Sequence, residues 1–260
     1  MAVSKVHSRS GSGVEPGREP AFEKMIKALG FGSAFALPGA LCAPVFGESE
    51  HDGLTMRVLM SIFWISTDSL KNGVDVHLQA ALSDLRHASG FSLYNGNAPV
   101  RVCISKLRDQ KCTFSDGVEI PVFHEFDIVK FKDLQMAQWR FHPDFAELFV
   151  KPPRFAILDM RELGGLTKGI DVFLYRQAML VKNMRRPDFR LPSSELYKVC
   201  GIDNDLPFKR VVEKIKRSLS RVVASSAMSV DMESIQERGS RALAGLAFHV
   251  RNNTTSELKL

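Results

Sequence analysis

The chain has 260 residues, of which 45% are hydrophobic and 25% are charged. This balance excludes collagen-like, disulfide-stapled and wholly disordered proteins, and the length fits one large domain or two small ones. The formal net charge is +6. Where that positive charge lies along the chain is the first guide to function.

The N-terminal segment is rich in Ser, Gly, Pro and Arg and lacks the apolar core of a secretory signal. We therefore expect residues 1–19 to form a disordered arm and the protein to stay in the cytoplasm. The long uncharged stretch that includes Gly30–Gly47 contains prolines and glycines and falls short of the apolar run of a membrane span. The sequence predicts no membrane partner.

Sequence patterns typical of catalysis or metal binding are missing from the chain. Its cysteines form no CxxC pair, and its histidines form no HxH, HxxxH or HExxH. The glycine-rich run Gly164–Gly169 places its lysine before the last glycine, which does not fit a phosphate-binding loop. No GxSxG or GxGxxG occurs either. These patterns predict a protein that is not an enzyme and that needs no metal or cofactor. The cysteines, expected to be reduced and buried, are Cys42, Cys103, Cys112 and Cys200.

Positive charge is concentrated in the C-terminal half of the chain. The range 151–223 contains sixteen Lys and Arg residues and eight Asp and Glu residues. A surplus of this kind indicates a polyanion partner, because cations placed near phosphates release condensed counterions. Nucleic acid is favoured over membrane, since no basic amphipathic anchor with Trp or Phe accompanies the surplus.

Three helices are predicted in the first half. The spacing of apolar residues predicts one helix over Leu54–Lys71 and a second from about Val76 to just before Ser89. The third begins after Asn97, a candidate cap, with Pro99 near its first turn. It turns Val100, Cys103, Ile104 and Leu107 inward and Arg101, Lys106 and Arg108 outward.

A hairpin is predicted directly after the third helix. Two apolar stretches, Lys111–Ser115 and Val118–Phe126, flank Asp116–Gly117, a strong short-turn signal. Helix, helix, basic helix and hairpin follow one another in a winged helix, where the third helix enters the major groove. The alternative is a structural hairpin beside an ordinary amphipathic helix.

The second half repeats this order. We predict a strand at Phe155–Leu158, a buried helix at Ile170–Lys182, a basic loop over 183–190 and a short helix at Glu195–Val199, ended by Gly201. A turn at Asp203–Asp205 then precedes the longest amphipathic element of this half.

That element, Pro207–Val223, has one apolar stripe and one basic face. Arg210, Lys214, Arg217 and Arg221 form a single column of cations, with Lys209 and Lys216 beside it and Glu213 as the one opposing charge. Like charges at i, i+4 repel, so an uncompensated column favours a polyanionic partner, and a DNA recognition helix fits. The alternative is a merely basic surface helix.

Five segments of the second half together resemble the second winged helix of bacterial plasmid replication initiators, the iteron-binding Rep proteins. The segments are Phe141–Phe149, Phe155–Gly169, Phe173–Tyr175, Ser194–Gly201 and Pro207–Arg210. The resemblance covers roughly residues 141–223. Only Gly245–Val250 is predicted as a strand after the basic helix, which leaves a second wing open.

The resemblance implies an α+β fold of tandem winged-helix domains. Domain boundaries follow at 1–19 (arm), 20–139 (first winged helix), 140–250 (DNA-binding winged helix) and 251–260 (flexible tail). It also implies initiation of plasmid replication from repeated DNA sites, host replication proteins as partners, and a monomer–dimer equilibrium in a bacterial cytoplasm. For the dimer contact, Phe31–Phe46 is one candidate.

Other functions fit the same features. A sequence-specific transcriptional regulator with the same two modules is the closest alternative. An interaction protein whose basic helix meets an acidic partner is a further one. Direct repeats beside the encoding gene would favour the initiator, and a single palindrome the regulator.

Overall fold

The computed structural model describes residues 32–42, 46, 52–71, 77–90, 96–114, 116–150, 152–202, 207–236 and 243–252. The predicted arm, the turn at 203–205 and most of the predicted tail lie outside these ranges. A membrane span would need a long apolar helix, and none of the helices in the described segments qualifies.

Helices and strands alternate in two similar series. The first half contains α1 (Gly53–Lys71), β2 (Leu78–Ala81), α2 (Leu82–Ala88), α3 (Ala98–Leu107), β3 (Lys111–Thr113), β4 (Glu119–Pro121), β5 (Phe123–Phe131) and β6 (Leu134–Phe141); β1 (Ala34–Pro38) and a 3₁₀ turn, Gly39–Leu41, precede α1. Next come α4 (Pro143–Val150), β7 (Phe155–Asp159) and α5 (Met160–Gly164). The second half contains α6 (Gly169–Val181), β8 (Asp188–Pro192), α7 (Ser193–Cys200), α8 (Phe208–Ser225), β9 (Met228–Gln236) and β10 (Leu243–Asn252).

Each half builds the same small sheet. In the first half the strand order is β2-β6-β5, and in the second it is β8-β10-β9, all antiparallel. In both, a strand between the first and second helices pairs with the last strand of a hairpin that follows the third helix. Helix, strand, helix, helix and hairpin in this order form a winged helix, so the predicted α+β fold of tandem winged-helix domains is confirmed. The third helices are α3 and α8.

The two halves share one hydrophobic core. β1 pairs with β7, α1 packs against α6, and the buried residues form a single cluster that runs through both halves. A Cβ added at Gly53, the first residue of α1, would lie 2.3 Å from the backbone oxygen of Thr167. Only glycine allows this close approach, which holds the start of α1 against the segment before α6.

Several predicted elements are confirmed. α1, α3, α6, α7 and α8 lie within a few residues of their predicted positions, and β7 falls on the predicted strand. The four apolar residues of α3 expected to face inward are buried. β3 and β4 pair across the predicted turn, where Gly117 has a φ of 85° that favours glycine.

Other predictions were wrong. Residues 78–81 form strand β2 instead of the first turn of a helix, and part of the expected basic loop over 183–190 is strand β8. The wing of the first half is not the short β3–β4 hairpin but the longer β5–β6 hairpin, whose strand β6 pairs with β2. In the second half the wing left open by the sequence is present, because β9 and β10 pair over nine positions.

The described part of the segment proposed for dimer contact is not a free apolar surface, and Phe31 and residues 43–45 lie outside the described residues. Within Phe31–Phe46, the side chains of Phe35, Leu37, Leu41, Cys42 and Phe46 are buried in the core. A side chain that packs inside one chain cannot serve as an exposed apolar patch for another. The buried side chains of this segment therefore cannot form the dimer contact.

Candidate nucleic-acid interface

Helix α8 divides into a buried face and a charged face. Val211, Ile215, Leu219 and Val222 are buried, as the apolar spacing predicted. Pro207, just before the helix, needs no hydrogen-bond partner for a backbone N–H at this end. Packing of the apolar stripe fixes the rotation of the helix, so the opposite face must point outward.

Four of the six predicted cations of α8 line one concave surface. This basic groove, of about 460 Å³, is formed by Lys168, Ile170, Arg210, Glu213, Lys214, Arg217 and Arg221. It contains five cations and one carboxylate, a composition that suits a polyanion. Lys209 and Lys216 are exposed on the same helix but do not line the groove.

Arg221 is held by an acidic residue of its own domain. Its Nε and Nη2 donate hydrogen bonds to the two carboxylate oxygens of Asp171 at 2.7 and 2.8 Å, and the Asp171 side chain is fully buried. These hydrogen bonds raise the pKa of Arg221 above its ordinary value. The side chain is partly buried, so Arg221 lines the groove with its Nε and Nη2 groups already engaged.

Lys214 is also engaged. Its Nζ donates to the backbone oxygen of Cys200, the last residue of α7. Carbonyl groups at the C-terminal end of a helix lack intrahelical partners and carry partial negative charge. Lys214 therefore caps α7 while remaining exposed at the groove.

Arg210 and Arg217 are the two groove cations whose guanidinium groups are available. Both are exposed, and among the residues that the structure describes no carboxylate pairs with either of them. They lie seven residues apart, two helical turns, on one side of α8. Arginine side chains in this position can bind phosphate or the O6 and N7 atoms of guanine.

The cations predicted on α3 are exposed but make contacts within the domain. Lys106 Nζ lies 2.6 Å from Asp52 Oδ2, and Arg101 Nε donates to Gln135 Oε1 at 3.2 Å. Arg108 donates to the backbone oxygen of Phe126 and to Asp127 Oδ1, at 3.1 and 2.8 Å.

The surface around Arg108 carries mixed charge. It forms a depression of about 550 Å³ lined by two cations and by Asp109, Glu125 and Asp127, together with polar and apolar neighbours. A polyanion approaching this side of α3 would meet three carboxylates. The basic groove of α8 is therefore the more favourable surface for nucleic acid.

Two groups of cations at exposed surfaces were not predicted as site residues from the sequence. Lys168 joins the basic groove from the segment before α6, and it could have been suspected only from its place in a glycine-rich run. Lys130 and Lys132 lie at the exposed tip of the β5–β6 hairpin. The alternating apolar residues before Lys130 indicate a strand, but no glycine marks the turn of the hairpin that follows it.

The described residues show no group suited to hold a metal ion. No cluster of three or more His, Cys, Asp and Glu side chains occurs among them. All four cysteines are buried, and burial raises the pKa of the Cys42 thiol to about 12 and that of Cys200 to about 11. Protonated thiols of this kind are poor metal ligands and poor nucleophiles.

Comparison with solved structures identifies the fold. A crystal structure of the Pi initiator protein in complex with iteron DNA matches with a TM-score of 0.60 at 11% sequence identity, over 84% of this chain and 96% of that chain. The chain therefore shares its fold with that crystal structure.

Two structures of domains 2 and 3 of RctB match with TM-scores of 0.47 and 0.45 at 11% and 12% identity, over 77% and 75% of this chain and 82% and 81% of those chains. No protein-family model matches the chain. No curated protein matches it in sequence.

Proposed function

We propose that this protein is a plasmid replication initiator that binds repeated duplex sites at an origin through its two winged-helix domains. The observation that carries the proposal is the exposed face of α8, where Arg210 and Arg217 stand in a groove that is rich in cations. The third helix of a winged helix is the element that enters the major groove. The fold shared with an initiator solved on iteron DNA supports the same function.

Binding would be divided between phosphates and bases. Arg210 and Arg217 can form paired hydrogen bonds with guanine, while Lys209, Lys216 and Lys214 would neutralise phosphates. Arg221 would act indirectly, by fixing α8 against α6. With the α3 cations engaged inside their own domain, the C-terminal domain would supply most of the affinity. No catalytic step is part of this proposal.

The wider role follows from the initiator assignment. Bound copies on an array of repeats would promote opening of nearby DNA and recruit host replication proteins in the bacterial cytoplasm. A monomer–dimer equilibrium would set how many copies are free to bind the array. These partners are proposed from the resemblance and from the shared fold.

DNA binding is tested by titrating the purified protein against labelled fragments from around its own gene, with random duplex as competitor. We expect one fragment to be retained selectively. Arg210→Ala and Arg217→Ala should each cost roughly 1 to 3 kcal/mol in specific binding if the side chain contacts a base. Arg154→Ala, which removes an exposed arginine outside the groove, is the matched control. Equal competition by random duplex would contradict sequence-specific binding.

Initiation is tested separately from binding. A DNA circle that carries the gene, its flanking sequence and a resistance marker, but no other origin, is introduced into a bacterial host. Stable colonies with wild type, and none with the Arg210→Ala, Arg217→Ala double variant, are expected for an initiator. A transcriptional regulator would give no colonies and would repress a reporter instead.

A further inference from the structure

The tip of the β5–β6 hairpin exposes a pair of large apolar side chains. Phe131 and Leu134 face each other across the two strands and are 63% and 47% exposed. The turn between them is Lys132–Asp133, with Lys132 in the left-handed region at a φ of 55°. Two apolar side chains at the end of a narrow ribbon are costly in water, so a partner that covers them would be stabilising.

This tip lies beside the third helix of its domain. Arg101, near the start of α3, donates to Gln135, the neighbour of Leu134 on β6. Arg108, at the other end of α3, contacts Phe126 and Asp127, farther from the tip. The helix therefore runs along the hairpin with its N-terminal end at the tip. Val102, which is 55% exposed, adds an apolar side chain to α3 next to Arg101.

Positive charge lies on both sides of Phe131, one member of the apolar pair. Lys130 and Lys132 flank Phe131 and are exposed, and Lys132 Nζ lies 5.7 Å from the centre of the Phe131 ring. Asp133 is the one acidic residue between positions 130 and 135. An apolar wedge with cations on both sides matches the minor groove, where apolar side chains enter between bases and cations bind the phosphates.

We propose that the wing tip of the first half inserts Phe131 and Leu134 at a base step in the minor groove of the bound duplex and bends the duplex there. Lys130 and Lys132 bind the phosphates on either side. This proposal rests on the proposed DNA-binding function and adds a deformation step to it. Bending costs energy that depends on the sequence, so the wing would favour flexible steps that no side chain reads directly.

The test uses a duplex that the wild-type protein enriches from a randomised DNA pool. Dyes on the two duplex ends report bending by energy transfer, and 2-aminopurine placed along the site reports unstacking. We expect wild type to shorten the end-to-end distance and to raise fluorescence at one step. The Phe131→Ala, Leu134→Ala double variant should lose both signals and bind about tenfold more weakly.

The control is Phe155→Ala, which removes a phenylalanine that is 54% exposed on β7, away from the wing. It should keep both signals. Single Phe131→Ala and Leu134→Ala variants, with thermal unfolding as a fold check, separate loss of the wedge from loss of the fold. A straight duplex with wild type, or a double variant that still bends it, would overturn the proposal. So would a double variant that changes only the oligomeric state. If no duplex is enriched at all, the proposed DNA-binding function fails instead.

Discussion

Arg221 on α8 binds Asp171 on α6 through two hydrogen bonds, across 50 positions of sequence. In the sequence Arg221 belongs to the same column as Arg210 and Arg217, yet in the structure its guanidinium donates hydrogen bonds to a buried carboxylate. The column is therefore divided by role. Its last cation bonds a buried carboxylate of α6, and Arg210 and Arg217 are exposed.

This division predicts a large loss of stability for one arginine substitution and almost none for another. Arg221→Ala would leave the buried Asp171 carboxylate without its cation and should lower the free energy of unfolding by roughly 3 kcal/mol. Arg210→Ala removes an exposed side chain and should change it by less than about 0.5 kcal/mol. Urea unfolding followed by circular dichroism measures both. Equal losses of stability would contradict the structural role of Arg221.

The salt dependence of DNA binding should separate phosphate contacts from base contacts. Each phosphate contact that is lost lowers the slope of log affinity against log salt by about one. Lys209→Ala and Lys216→Ala remove cations that are proposed to neutralise phosphates, so each should reduce the slope by that amount. Lys214→Ala should have a smaller effect, because its ammonium group already bonds the oxygen of Cys200. Arg210→Ala and Arg217→Ala should weaken specific binding with little change in slope, because these side chains are proposed to contact bases. Titrations at several salt concentrations provide the slopes, and unchanged slopes for both Lys209→Ala and Lys216→Ala would contradict their phosphate role.

Asp52 should make stability depend on pH in the acid range. Burial raises the pKa of its carboxyl, but hydrogen bonds from Lys106 and from Thr55 outweigh burial and hold that pKa below its ordinary value. The folded state therefore favours the carboxylate, and this stability is present near neutral pH and is lost as the pH falls through the folded-state pKa.

Asp52→Asn tests this linkage. Asp52 also accepts hydrogen bonds from the backbone N–H groups of Leu54 and Thr55 at the start of α1. We expect the variant to lose about 1 kcal/mol of unfolding free energy at pH 7. Its difference from wild type should begin to shrink below about pH 4, the ordinary pKa of an aspartate carboxyl, and should shrink further as the pH falls through the lower folded-state pKa. Urea unfolding at a series of pH values gives the difference, and a constant difference would contradict the role of the Asp52 charge.

The cysteines should resist thiol reagents in the folded protein. All four are buried, and burial raises the pKa of the Cys42, Cys103 and Cys200 thiols. At pH 8 few thiolates form, and the reagent has little access to them. We expect Ellman's reagent to react with four thiols in urea and slowly or not at all without it. Fast reaction of one thiol in native protein would place that cysteine at the surface.

Long amphipathic elements were predictable from the sequence. In α1 and α8 the apolar residues recur at the helical period over many residues, and burial of that stripe decides the structure. Because these long helices were predicted correctly, the order of helices in each half could also be predicted. The exposure of Arg210 and Arg217 also followed, because the stripe leaves the opposite face to solvent.

The elements that failed depend on distant partners. Leu78 and Ala81 fit a helical spacing with Leu85, but pairing of β2 with β6 makes residues 78–81 a strand. The turn of the β5–β6 hairpin uses Lys132 in place of glycine, so the usual turn signal is missing. Strand β9 is half-exposed and rich in polar residues, and β10 holds it in the sheet. The local sequence pattern carries little information about a strand when pairing with a distant strand decides its structure.

The contacts of the site were equally hidden. The charge pattern predicted one role for all six cations of α8. In the structure, however, Arg221 donates to Asp171 and Lys214 donates to the backbone oxygen of Cys200. The Arg221–Asp171 contact joins helices 50 positions apart, and the Lys214–Cys200 contact joins the two consecutive helices α7 and α8. The charge pattern predicted a basic face, and only the tertiary structure separated the structural cations from the exposed ones.

Hydroxyl-radical footprinting on the retained DNA fragment shows whether the protein binds repeated sites through α8. We expect protected segments on one face of the duplex, repeating at about two helical turns. The Arg210→Ala, Arg217→Ala double variant should lose the protection that is due to α8. Arg154→Ala should leave the pattern unchanged. Continuous protection without a repeat, or an identical pattern for the double variant, would contradict recognition of repeated sites through α8.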